Sequence, residues 1–294
     1  MAERVSFTGS SGFSTWGAVR RDGRKMLASG TKSFLDNDLM SYASAVSFQV
    51  AFAVLPLVMT GLALLAFLGL GEVWDSDLAP RVQEAVQQDA FSVIDRTADQ
   101  ILGEKRGTWL TFGVFFALWQ ISGAIRATMT PLNLVYGAEE GRSWWQRFLV
   151  SLALALLIGP LVAGAALIIQ LGPRILGAVG LPRAIELVLH VARWGVAIAF
   201  LLLAVWLLIR YATSRPQPFA WAGLGSIFVV GAWLVASVGF GLYASRIADY
   251  GSVFGSLATV IVLLTYIYIS SIALLFGIQL DACVRERVRD ADSG

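Results

Sequence analysis

The stretch LMSYASAVSFQVAFAVLPLVMTGLALLAFLGLG, residues 39 to 71, contains no Asp, Glu, Lys or Arg. At ~1.5 Å rise per residue, ~20 apolar residues in a helix cross ~30 Å of hydrocarbon, and this run exceeds that length. Inside a bilayer each backbone N–H and C=O must find its partner within the protein, so the run reads as a transmembrane α-helix. Five further charge-free windows follow, at 107–125, 148–173, 194–209, 216–245 and 250–280. The fourth is short, and Arg193 and Arg210 extend it to 191–210 if they snorkel to opposite interfaces.

Composition agrees with this reading. Of 294 residues, 57% are hydrophobic and 14% charged, with a mean hydropathy of +0.70, against ~25% charged in soluble domains. The charges cluster between long neutral runs instead of covering a globular surface. The sequence therefore predicts an all-α polytopic membrane protein with six transmembrane helices. It divides into a flexible basic N-terminal cytoplasmic segment (1–38), a six-helix domain (39–283) and a cytoplasmic C-terminal tail (284–294). The first window lies behind Arg20, Arg21, Arg24, Lys25 and Lys32, too far in for a cleaved signal peptide, and is read as a retained helix. With the N-terminus inside, fourteen Lys and Arg fall on the cytoplasmic side and eight outside, so both termini are expected in the cytoplasm.

The long loop at 71–107 holds eight acidic residues. Leu78, Val82, Ala85, Val86, Val93, Ile94, Ile101 and Leu102 recur at helical spacing and predict an amphipathic hairpin or interfacial helix. A cover packed on the bundle and a gating or partner-binding role both fit it. No sequence repeat relates the first three spans to the last three.

Several functional classes are excluded. A net charge of +2 is too mild for a nucleic-acid surface. One histidine, His190, and one cysteine, Cys283, leave no metal cluster and no intramolecular disulfide. No GxxxxGK[ST] pattern binds a nucleotide, so any transport would be passive, ion-coupled or driven by a partner. No catalytic residues, cofactor or metal are expected.

Polar residues inside the spans carry what functional signal there is, because each needs a partner or a wet cavity. On the first helix Tyr42, Ala45, Gln49 and Pro56 share a face among small residues, and Pro56 is expected to kink the helix. Close packing explains this face as well as function does. On the second helix Trp119, Gly123, Arg126, Thr130 and Asn133 form a stripe flanked by Gln120 and Ser122. Arg126 is the costly member, at ~2.5–3.5 kcal/mol if central in the bilayer. Two readings stand: a guanidinium that grips a phosphate or carboxylate, or a snorkelling anchor. Before the sixth span, Tyr250, Gly251, Ser252, Gly255 and Ser256 break the apolar pattern, as a re-entrant turn or close helix crossing would. Thr265, Tyr268 and Gln279 then lie roughly on one face, and Asp281 is placed to pair with a basic group such as Arg126.

At these residues the chain resembles the YihY/BrkB family of bacterial inner-membrane proteins, over roughly residues 41 to 283. SYASAVSFQVAFAVLPL (Ser41 to Leu57) resembles its small-residue first helix. LWQISGAIRATMTPLNLVYGAEEGRSWW resembles its most distinctive motif, at Trp119, Ser122, Gly123, Arg126, Asn133, Tyr136, Gly137, Glu140 and Arg142. YGSVFGSLATVIVLLTYIYIS (Tyr250 to Ser270) resembles its last motif. Two departures stand out. The family's Gly-Ala-Glu-Leu-Asn pattern is GIQLDA here, with Gln279 for the acid and Asp281 for the amide, and Thr265 replaces a tryptophan. A coupling role for the family's glutamate therefore does not transfer.

The resemblance implies six helices, a bacterial cytoplasmic membrane and a loosely defined function linked to serum resistance and to export of envelope lipid precursors. It also brings an old ribonuclease label, for which this chain lacks clustered metal ligands. The leading expectation is a transporter or flippase for an amphipathic, anionic, lipid-like envelope substrate. Its binding residues would be Gln49, Gln120, Ser122, Arg126, Asn133, Tyr136, Tyr250, Ser256, Tyr268, Gln279 and Asp281, with Pro56, Gly123, Gly251 and Gly255 as hinges or gates. The alternative is a scaffolding envelope protein, and an intramembrane enzyme is the weakest reading. The expected partners are membrane lipids, with other envelope proteins or a second copy left open, and no nucleic acid.

Overall fold

The computed structural model describes residues 27–85, 88–103, 107–179, 183–215, 217, 219–247 and 256–293. No strand occurs among them. A short helix α1 (27–36) precedes α2 (Leu39–Leu68). After a π-helical turn (Trp74–Leu78) come α3 (Ala79–Ala85), α4 (Gln88–Gly103), α5 (Gly107–Val135), α6 (Trp144–Val179), α7 (Arg183–Ala212), α8 (Phe219–Ile247) and α9 (Ser256–Ser293). Six of these, α2 and α5 to α9, contain stretches long and apolar enough to cross a membrane, which makes the chain a multi-pass membrane protein.

The helices outrun the charge-free windows that locate them. The second window ends at Arg126, yet α5 continues to Val135. Backbone hydrogen bonds propagate a helix past a charge, so Arg126 stands about 13 Å inside the helix end. Pro56 lies within an uninterrupted α2, where the hydroxyl of Thr60 donates to the Pro56 carbonyl at 2.7 Å. Gly69, at φ +70°, ends α2: its N–H reaches Ala66 O at 3.2 Å, and that of Leu70 reaches Leu65 O at 2.8 Å.

The six long helices form a ring in chain order, closed where α9 packs on α2, and α5 also reaches across to α7 and α9. The main core, including Leu39, Met129, Leu132, Leu154, Ile209 and Leu275, lies towards one end of this ring. That end, where α2 begins and α5, α7 and α9 finish, is called the near end below. Elsewhere large apolar side chains face outward, as a bilayer solvent permits: Leu55 is 71% exposed and Val235 75%.

Two boundaries shift from those expected. The N-terminal segment is not a loose tail up to residue 38. Phe34 on α1 is buried and meets the Phe276 ring edge-on at 5.8 Å, and Asn37 Nδ2 donates to Gln279 Oε1 at 3.3 Å. At the other end there is no separate tail from 284, because α9 continues to Ser293 with Val284 buried.

The loop helices sit at the far end. Trp74, Ala98 and Ile101 bury against Leu62 and Ala63 of α2, with Val82, Ile94 and Leu102 packed alongside. Trp74 Nε1 donates to Asp95 Oδ1 at 3.1 Å. The amphipathic pattern thus marks a packed cover, although Leu78 faces outward and Trp74, outside the pattern, anchors it. Val86 lies outside the described residues.

Candidate functional site

Arg126 is half-buried between α5 and α6. Its Nη1 donates to Ser122 Oγ at 2.5 Å and to Ser151 Oγ at 3.1 Å. The two hydroxyls are 2.7 Å apart, and Ser151 donates to Phe148 O at 2.8 Å. Each hydroxyl has one proton, so the chain runs Ser122 to Ser151 to the Phe148 carbonyl, leaving both oxygens to accept from the guanidinium. The Arg126 guanidinium also lies over the Phe148 ring, 5.2 Å from its centroid. Phe148 in turn touches Trp144 and Trp119, which are exposed to the surroundings of the bundle.

On its other side Arg126 adjoins the seam between α2 and α5. A Cβ placed on Gly123 would meet Gln49 Oε1 at 3.1 Å and Arg126 Nη2 at 3.8 Å, so glycine is what lets Gln49 close on α5 beside the guanidinium. Further towards the far end the seam holds a groove of about 440 Å³, lined by Phe52, Pro56, Met59, Phe116, Trp119 and Gln120 among others. The structure therefore brings Gln49, Pro56, Gln120, Gly123 and Arg126 together along the α2–α5 seam, while Ser122 holds Arg126 from the α6 side.

The other expected site residues lie elsewhere. Asn133, Tyr136, Gln279 and Asp281 belong to a polar network across the near end. Asn133 donates from Nδ2 to Glu140 Oε2 and accepts from the Ser214 N–H, both at 2.8 Å. Glu140 also receives Arg142 Nε at 2.8 Å, and Arg142 Nη2 donates to Ala212 O at 2.7 Å. These contacts bind the α5–α6 connection to the end of α7.

Asp281 is wholly buried, accepts from the Tyr136 hydroxyl at 2.9 Å and pairs with Arg285 at 2.7 Å. Arg285 lies over the Tyr136 ring at 4.6 Å and donates to Gln217. The expected pairing of Asp281 with Arg126 is thus overturned: Asp281 takes the cation one turn along its own helix, and Arg126 takes serines. Nor do Tyr268 and Gln279 form one site. They stand about 16 Å apart along α9, and Gln279 is buried against Asn37 and Cys283. Tyr250, Gly251 and Gly255 lie outside the described residues, while Ser256 begins α9.

Sequence reasoning missed Ser151, Phe148, Arg285, Gln217 and Ser214 as partners. Only Glu140 and Arg142 had a signal, through the motif they share with Arg126. Outside the spans, Glu140 has its carboxyl held below the ordinary glutamate value, chiefly by the hydrogen bond from Arg142. No group of three or more His, Cys, Asp or Glu able to hold a metal occurs among the described residues.

The family model described as virulence factor BrkB matches residues 31–294. The chain belongs to the BrkB family. The putative ribonuclease-like protein YfkH of Bacillus subtilis is 28% identical over 259 residues, covering 86% of this chain and 92% of the relative. A UPF0761 membrane protein of Pseudomonas aeruginosa is 26% identical over 255 residues, 83% of this chain and 59% of the relative. One from Chromobacterium violaceum is 29% identical over 145 residues, 49% of this chain and 34% of the relative. The chain thus spans less than two thirds of the length of these two UPF0761 membrane proteins. No solved structure matches it.

Proposed function

We propose that this BrkB-family membrane protein moves an amphipathic, anionic, lipid-like envelope molecule between leaflets of the bacterial cytoplasmic membrane, with the near end and both termini on the cytoplasmic side. The observation that carries the reading is Arg126. Its guanidinium is held within a span by two serines and an aromatic face, beside exposed tryptophans and next to Gln49. Among the described residues no carboxylate forms an ion pair with it; Asp281 pairs with Arg285, and Glu140 with Arg142 and Arg147. A cation so placed favours a phosphate or carboxylate headgroup. Polar contacts along the near end would close the cytoplasmic side in this conformation.

The test is movement of a fluorescent anionic lipid between leaflets of liposomes bearing the purified protein. We expect movement with the native chain and at least a tenfold slower rate with Arg126→Ala. Equal rates would remove Arg126 from the headgroup site. A scaffolding role is the second reading, favoured by the near-end network, where Asn133 ties α5 to the residues after α7, Gln279 ties α9 to Asn37 ahead of α2, and Asp281 ties α9 to α5 through Tyr136. Absence of movement in the native protein would select it.

A further inference from the structure

The groove on the α2–α5 seam has walls of two kinds. Phe52, Leu55 and Met59 of α2 face Phe112, Phe116 and Trp119 of α5 across it, and all six are exposed at the surface of the bundle. Its floor is the close approach of the two helices: a Cβ on Gly113 would lie 2.9 Å from Thr60 Oγ1 and 3.2 Å from Thr60 Cα. Gln120, the one polar side chain lining it, stands at the end nearest Gly123. One turn beyond come Gln49 and then Arg126. From Phe112 to Arg126 the seam runs about 21 Å along α5, more than one leaflet of a ~30 Å hydrocarbon layer.

An apolar channel that opens sideways to the bilayer and ends at a cation matches one class of molecule. We infer that the seam binds a single long-chain anionic lipid, its headgroup at Gln49 and Arg126 and one hydrocarbon chain lying in the Phe52–Phe116 groove. The lipid then travels along the outer seam of the ring instead of through its centre. The chain contributes by apolar contact, and the headgroup fixes register through the charge. The proposal rests on the transporter reading only for the lipid's movement; its binding is separate.

The test uses the full chain in phosphatidylcholine vesicles containing a trace of phosphatidylglycerol with a photoreactive diazirine in mid-chain, cross-links being mapped by mass spectrometry. Labelling at Phe52, Met59 and Phe112 is expected to exceed that at Leu156 and Val235, which are also exposed at the surface of the bundle, by at least fivefold. Arg126→Ala should abolish most of the excess. So should Leu55→Trp, which fills the groove from its exposed rim without touching the core.

A phosphatidylcholine probe with the same chain should show less than half the excess. Even labelling over all lipid-facing residues, or equal excess with both headgroups, overturns the proposal. Leaflet movement that needs Arg126 without groove labelling would sink this inference and keep the transporter. Groove labelling in a protein that moves no lipid would do the reverse.

Discussion

Glu140 shows how much one side chain does at the near end. Its two oxygens accept from Asn133 Nδ2 and from the backbone N–H, Nε and Nη2 of Arg142. The side-chain hydrogen bond from Arg142, with its backbone N–H and the charges of Arg142 and Arg147, favours the ionised form and holds the carboxyl below the ordinary value of 4.5. The sign of the linkage follows: a depressed folded-state pKa contributes stability above the unfolded value and loses it as pH falls through the folded one. Glu140→Gln should therefore be less stable than the native protein at pH 7, and the gap should shrink below about pH 4.5. Thermal unfolding in detergent from pH 7 to 3 measures this, and a gap that does not narrow with acid would remove Glu140 as the titrating tie.

At the scale of helices, α8 and α9 cross where α9 has no side chain. A Cβ on Gly277 would fall 2.5 Å from Val229 Cα and 2.8 Å from Val229 N, a collision with backbone that no rotamer relieves. Close helix approach of this kind gains dispersion contacts that hydrocarbon solvent does not supply. Gly277→Ala should therefore force the helices apart and cost about 1–3 kcal/mol. Gly239→Ala, on the same pair of helices with open space around its Cβ, should be near neutral. Thermal shift of the two variants decides the matter, and equal losses would point to helix propensity instead of the crossing. This crossing at Gly277 is separate from the one expected at Gly251 and Gly255, which lie outside the described residues.

For the whole molecule the main question is what closes the ring. Asp281 ties α9 to the end of α5 through Tyr136 and packs on α8, where a Cβ on Gly225 would come within 3.1 Å of its carboxyl carbon; Arg285, its partner one turn along α9, reaches Gln217 between α7 and α8. Removing it leaves Arg285 as a poorly compensated cation, and breaking a buried pair this way costs ~3–5 kcal/mol. Since ~1.4 kcal/mol is tenfold in an equilibrium, opening of the near end should rise at least a hundredfold. The chain carries its own reporter, the single Cys283, buried next to Gln279. Asp281→Ala should speed alkylation of Cys283 by a small maleimide by that factor, and Asp281→Ala with Arg285→Met should recover much of the protection. Additive loss in the double variant would show that the pair does not hold the ring shut.

The six spans were legible because each helix satisfies its own backbone and meets the bilayer with its own side chains. Length and hydropathy are local, and residues 39 to 71 display both before any neighbour is known. The amphipathic cover and the small-residue faces were legible for the same reason, as was Arg126, whose charge stands out against its surroundings. Partner choice was not local. Arg126 bonds Ser151, which is 25 positions away, and Asp281 bonds Tyr136, 145 positions away. No periodicity encodes such pairs, since they depend on which helix faces which and at what depth. The ring closed by α9 on α2 made that choice. It set Asn133, Tyr136, Gln279 and Asp281 into a tie at one end, and left Gln49, Gln120 and Arg126 along an open seam.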